Sequence, residues 1–388
     1  MPNDLLSPDA IVDVASRLIR IPSVNTTIAP DETGGEAEVA AFACDWLSRH
    51  GVPAVLEPAA PGRPNAVGEV RKGDGPTLVL CAHLDTVGTA GMTIPPFEPA
   101  LRDGKLFGRG SYDMKGSAAA AMCAAAALAG DEAFRGRLLV ALVADEEYAS
   151  VGADDFVRRH RADACILTEA SAGALVLAHK GFVWAEIVTR GRAAHGSRWD
   201  LGVSAIGRMG RIVAALERFD REALRSRTHP LVGPASMHCA TIQGGAGLST
   251  YAPECRLQIE RRTLPGETPE RAIAEIEAVV GAAGEEAEVR RLYDRPPLTC
   301  DAGSPIARCV RDAATKVAGA APAEIGVAYW MDAAIFAAAG IPTVNFGPAG
   351  EGAHEAVEWV DVPSLVACAR VLAECGRSFA TYAEPARR

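Results

Sequence analysis

Leu78-Val79-Leu80-Cys81-Ala82-His83-Leu84-Asp85-Thr86 is the stretch on which the fold turns. An apolar run enters a histidine, and an aspartate follows two residues later. Continuous rather than alternating apolarity marks a strand buried on both faces, as a largely parallel sheet requires. The polar pair falls at the strand's C-terminal end, the edge where open α/β sheets place ligands. A spacing of two puts His83 and Asp85 on one side of an extended chain, so Asp85 can orient the imidazole or a neighbouring group. Taken alone, the pair also fits a surface turn.

Moving outward, similar short apolar runs occur at Leu138 to Ala144, Cys165 to Leu167 and Thr343 to Phe346. Helical stretches separate them. Ser7-Pro8 reads as an N-cap with proline at the first helical position, and that helix ends before Pro22. A second amphipathic helix runs from about Glu36 to His50, with Gly51 as its stop. Between Lys180 and Tyr293 the style changes. A strand (Phe182 to Thr189), a helix (Val203 to Phe219), strands at Ser236 to Gln243 and Cys255 to Arg262, a helix opened by Thr268-Pro269 and a strand (Ala287 to Leu292) follow in turn. That order, β-α-β-β-α-β, is the ferredoxin-like pattern. The expected fold class is therefore α/β. A mostly parallel-sheet catalytic domain, discontinuous over 1–179 and 294–388, carries an inserted ferredoxin-like α+β domain at 180–293.

Further polar groups fall at comparable places. Gly108-Arg109-Gly110-Ser111-Tyr112-Asp113-Met114-Lys115-Gly116 is a glycine-rich loop before an alanine-rich helix, so Asp113 can cap that helix or meet a cation. Ala144-Asp145-Glu146-Glu147 places three acids in a row after a buried strand, a crowding that a cation would offset and a solvated turn would tolerate. Glu169 ends the strand through Leu167, and His354 lies in the glycine-rich loop Gly347 to Glu355. Two histidines, three or four carboxylates and no cysteine suit zinc, cobalt or manganese. Paired divalent ions with a shared carboxylate activate water and polarise a carbonyl.

With 388 residues the chain suits two domains. Its formal net charge of -10 and the absence of a Lys/Arg-rich run argue against nucleic acid as a partner. The most apolar stretch, Ala118 to Ala129, is too short for a membrane span, which needs roughly 20 apolar residues. The N-terminus, with Asp4 and Asp9, does not read as a signal peptide. Ten cysteines are scattered without a Cys-x-x-Cys pair. Together these features point to the cytoplasm. No Gly-x-Ser-x-Gly elbow supports a serine hydrolase.

The run His83 to Asp85, the loop around Asp113, the pair Glu146-Glu147, Glu169 and His354, in this order, resemble a metallohydrolase family. It contains glutamate carboxypeptidase, acetylornithine deacetylase, succinyl-diaminopimelate desuccinylase and aminoacylase. The resemblance covers nearly the whole chain and implies a zinc-exopeptidase-like catalytic domain. It implies that His83 and Glu169 bind one metal, that Glu147 and His354 bind the other, and that Asp113 bridges both. Asp85 would sit behind His83, and Glu146 would be the general base. The inserted domain would mediate homodimerisation, and His195 would reach the partner's site to hydrogen-bond the developing oxyanion, a contribution of roughly 3 kcal/mol. Arg262 would hold the substrate carboxylate through its guanidinium fork. Thr250 stands where many members carry asparagine, a departure that bears on specificity.

The function expected is hydrolysis of an N-acyl amino acid, as by an acetylornithine-deacetylase-like deacylase. The alternatives are a carboxypeptidase or dipeptidase on small peptides and, in another class, an inactive small-carboxylate-binding homologue. Keeping both the ligands and Glu146 favours an enzyme.

Overall fold

The computed structural model describes residues 4–383, so the 1–3 and 384–388 ends of the expected catalytic domain lie outside the described residues. Two compact units emerge. One comprises the chain up to Leu177, Cys300–Ile325 and the chain from Met331 on; the other comprises Ala178–Thr299 and Gly326–Trp330.

In the first unit, four parallel strands form the middle of a mixed sheet, in the order Gly136–Val143, Thr77–His83, Ala164–Leu167 and Thr343–Asn345. Leu78, Leu80 and Ala82 join a core shared with the helices Pro8–Ile19, Ala37–Arg49, Lys115–Gly130, Pro305–Ala318 and Val362–Ser378. The intervening Val79 and Cys81 are buried as well. Both faces of the central strand are thus covered, which is why its sequence does not alternate. The alanine-rich helix Lys115–Gly130 is buried along nearly its whole length. Its small side chains permit close approach by Val362–Ser378, where Gly376 leaves room for Leu128. Ser7 caps the first helix by accepting from the Ala10 amide.

The antiparallel flank of the sheet leaves little trace in the sequence. Ala54–Ala60 and Arg63–Lys72 form a hairpin whose second strand pairs antiparallel with Gly136–Val143. Pro58 and Pro64 interrupt its apolar pattern and face each other across the hairpin. Pro58 is accepted because Ala54–Ala60 is an edge strand, and Pro64 because it precedes Ala66, where pairing with Gly136–Val143 begins.

The inserted second unit is ferredoxin-like. Its antiparallel sheet runs Ser236–Gly244, Glu254–Thr263, Gly181–Arg190, Ala287–Arg295. The helices Ala205–Phe219 and Pro269–Ala282 pack against it, burying Ala185, Ile187, Leu257 and Ile259 with Met209, Ile212 and Ile276. Ser204 and Thr268 cap these helices with their side-chain oxygens. Among the described residues no helix is long and apolar enough to cross a membrane.

Candidate metal centre

The four parallel strands deliver their C-terminal ends to one edge of the sheet. His83 ends one, Asp145 to Glu147 follow the second, and Glu169 follows the third. His354 lies beyond the fourth, in left-handed backbone geometry at φ 62. Asp113 reaches the same edge from the loop that precedes Lys115–Gly130.

Five of the residues singled out in the sequence converge there. The His83 Nε2 lies 3.0 Å from Asp113 Oδ1 and 3.3 Å from Glu169 Oε1. The His354 Nε2 lies 3.2 Å from Asp113 Oδ2 and 3.1 Å from Glu147 Oε2. Asp113 therefore turns one oxygen toward each histidine. Two ligand sets result, His83/Asp113/Glu169 and Asp113/Glu147/His354, each with its donor atoms within 4.8 Å of one another.

The electrostatics of this cluster match a shortage of positive charge. Burial, with the Asp113 charge second, lifts the Glu147 carboxyl to about 7. Burial likewise raises Glu169 and pushes Glu146 well above the usual carboxylate range. For His83 burial opposes protonation, but the Glu169 charge and the hydrogen bonds to its acidic neighbours outweigh it and raise the imidazole. Hydrogen bonds to Asp113 and Glu147 carry His354 to about 10. Crowded acids that draw protons onto their histidines are the electrostatic pattern a cation relieves. Among the described residues, the buried Glu147 Oε1 has no hydrogen-bond partner. That orphaned acceptor, together with the oxygen and imidazole donors, fits a pair of divalent ions sharing Asp113.

Asp85 does more than stand behind a histidine. His83 Nδ1 lies 2.9 Å from the Asp85 backbone carbonyl and 3.5 Å from its carboxylate. The carboxylate instead accepts the backbone N–H groups of Glu146 and Glu147, both at 3.1 Å, and the Asn25 amide at 2.8 Å. It fixes the turn that presents both glutamates. The three consecutive acids then diverge. Asp145, at φ 69, points to Arg63 and Asn25, Glu147 meets His354, and Glu146 lies between them in the chain.

Arg63, Asn25, Glu36 and Glu358 support the centre without a motif of their own in the sequence. Glu36, Asp85 and Asp145 form a third acidic group, already supplied with donors by Arg63 and Asn25. Glu358 is fully buried beneath the Asp113 loop and accepts from the backbone of Gly110, Tyr112 and Asp113, each at 2.9 Å. It also pairs with the buried Arg109 at 2.7 Å. Its nearness to His354 in sequence is the one available clue. Glu358→Ala would strip these four donors of their acceptor and leave Arg109 buried without its carboxylate. A loss of about 3–5 kcal/mol in denaturant unfolding of the metal-free protein is expected. Metal affinity should fall about 10–100-fold as the loop loosens, read by metal titration. Unchanged values would deny Glu358 that role.

His195 and Arg262 belong to the second unit. His195 is exposed, with Nδ1 2.8 Å from Ser197 Oγ, and its backbone bridges to Thr250. The Arg262 guanidinium lies over Phe182, and its Nε donates to Glu260 at 2.7 Å.

Residues 79–377 match the family model described as Peptidase family M20/M25/M40. An acetylornithine deacetylase of Myxococcus xanthus is 31% identical over 312 residues, covering 78% of this chain and 80% of that protein. Among solved structures, an M20 family metallo-carboxypeptidase from Sulfolobus solfataricus superposes with a TM-score of 0.81 at 17% identity, covering 96% of this chain and 99% of that one. A Bacillus subtilis protein described as a dinuclear metal-binding peptidase of the M20 family gives a TM-score of 0.73 at 16% identity, over 97% and 99% of the two chains.

Proposed function

The chain belongs to peptidase family M20/M25/M40 and is a metallohydrolase, and from that premise we propose that it cleaves the amide bond of an N-acyl amino acid. The observation that carries this reading is the sharing of Asp113 between two histidine–carboxylate sets, with Glu146 next to a member of one of them.

Divalent ions held by His83, Asp113, Glu169, Glu147 and His354 would supply Lewis acidity to the carbonyl and acidity to the attacking water. Zinc suits these donors best, with cobalt or manganese as the other fitting ions. Glu146 accepts the proton of that water at a carboxylate oxygen as the oxygen attacks the acyl carbon. It returns the proton to the departing amine nitrogen when the C–N bond breaks. The products are a carboxylate and a free amino acid. Asp85 keeps the Glu146 backbone in place through this exchange. Arg262 holds the free carboxylate of the substrate by a forked pair of hydrogen bonds. His195, presented by the second copy of a homodimer, donates to the developing oxyanion. Catalysis then falls to 1–179 and 294–388, and dimerisation to 180–293. All ten cysteines are unpaired thiols, in keeping with a cytoplasmic enzyme.

The relative in Myxococcus favours a deacetylase, and the solved carboxypeptidase keeps a small-peptide reaction as the second reading. A panel of N-acetyl, N-succinyl and N-aminoacyl amino acids, assayed with and without chelator, separates them. The N-acyl amino acids should be turned over fastest, and chelation should stop every reaction. Faster turnover of the N-aminoacyl members would move the assignment to a dipeptidase or carboxypeptidase. No turnover of any member would leave a binding protein.

A further inference from the structure

We propose that Arg63 is a positioning residue of the reaction, a built-in cation that sets the Glu146-Glu147 turn through Asn25 and Asp85. The proposal rests on the reading of Glu146 as the proton acceptor. The Arg63 side chain is 13% exposed, and the acids around it are almost fully buried. One of its terminal nitrogens donates to Glu36 at 2.7 Å and to Asp145 at 2.6 Å. The other donates to Asn25 Oδ1 at 3.0 Å and Thr27 Oγ1 at 2.7 Å. Turned this way, the Asn25 amide nitrogen donates to Asp145 at 2.9 Å and to Asp85 at 2.8 Å. Asp85 then accepts the N–H groups of Glu146 and Glu147.

The segment bearing Asn25 is itself tied to the His83 loop. The Asn25 N–H donates to Thr86 at 2.8 Å, and Ser23 Oγ donates to the Leu84 carbonyl at 2.6 Å. Arg63 thus closes a network linking separate chain segments to the turn of the catalytic glutamates.

Geometry alone makes this network costly to leave without its cation. Glu36, Asp85 and Asp145 bring donor oxygens within 4.8 Å of one another, as a metal site would. A guanidinium fills the place because its planar fork meets several acceptors at fixed angles and its charge is permanent. Even so the group runs short of positive charge, since burial and the Asp85 charge raise the Glu36 carboxyl to about 7. Removing Arg63 frees Asn25 to turn, and Asp85 to leave the backbone of Glu146.

The test uses the metal-loaded full chain in four variants, Arg63→Ala, Arg63→Lys, Asn25→Ala and Glu146→Gln, on the best substrate of the panel. For each, kcat, KM, metal content and melting temperature are measured. Arg63→Ala and Asn25→Ala should each lower kcat about 10–100-fold with metal content unchanged. KM should stay within about threefold, because positioning of the proton acceptor acts in the transition state. Guanidinium ion at sub-denaturing concentration should restore turnover to Arg63→Ala and not to Asn25→Ala, a readout that a merely structural role does not give. If Arg63→Ala fails to fold, Arg63→Lys and Asn25→Ala carry the test, and both should show the same fall in kcat. A kcat within about twofold of the parent in those variants, beside an inactive Glu146→Gln, would overturn the role of Arg63 and spare the reading of Glu146. A fall in kcat that follows metal loss would also overturn it. Parental turnover by Glu146→Gln would remove the reading itself, and the proposal with it.

Discussion

Glu146→Gln should lower kcat by about 10²–10⁴-fold and leave the metal content of the protein unchanged. The amide has the shape of the carboxyl group and cannot take a proton from water. The Glu146 backbone N–H, which anchors the turn on Asp85 at 3.1 Å, is untouched by the change. None of the four close histidine–carboxylate approaches involves this side chain. The melting temperature should hold or rise, because burial opposes charge at this position and a neutral side chain avoids that cost. Steady-state kinetics, elemental analysis and a thermal scan of one preparation decide the matter. Activity within about a factor of two of the parent would mean that another group accepts the proton.

The second large effect belongs to Asp113. Its two oxygens serve different histidines, at 3.0 Å and 3.2 Å. An asparagine would match the shape of this side chain without matching its chemistry, so Asp113→Asn is an informative substitution. It exchanges one acceptor oxygen for an NH2 group, which repels a cation, and removes the shared negative charge. Metal content should fall below that of the parent, and activity should drop by more than about 10³-fold, since both polarisation and water activation depend on the ions. The contrast between the variants carries the information. Glu146→Gln separates activity from metal, whereas Asp113→Asn loses both together. Retention of full metal content and activity by Asp113→Asn would show that the carboxylate does not bridge.

The parts of this architecture that the sequence discloses share one property: they are decided locally. The strands at 77–83, 136–143 and 164–167 are legible because residues buried on both faces must be continuously apolar. The ferredoxin-like order is legible because each strand and helix carries its own period and cap, as Ser204 and Thr268 do. The metal-centre residues stand out as polar groups at the ends of such strands. What stays hidden arises only on folding. Arg63, Glu36 and Asn25 are ordinary polar residues in sequence, and their joint role depends on a hairpin whose prolines mask it. Glu358 sits in a run with no motif of its own and becomes important because the Asp113 loop wraps over it. Asp85 is intermediate. Its nearness to His83 is plain from the spacing, but the backbone of Glu146 and Glu147 approaches it from 61 and 62 residues away, so its second task has no local trace.

The most direct measurement is reconstitution of the chelator-stripped protein, following activity and bound zinc as the metal is added back. Activity should be absent at the start and reach its plateau only as both histidine–carboxylate sets fill, at about two ions per chain. Hydrolysis that persists in the stripped protein, or a plateau reached with no stoichiometric binding, would contradict a paired-metal centre built on Asp113.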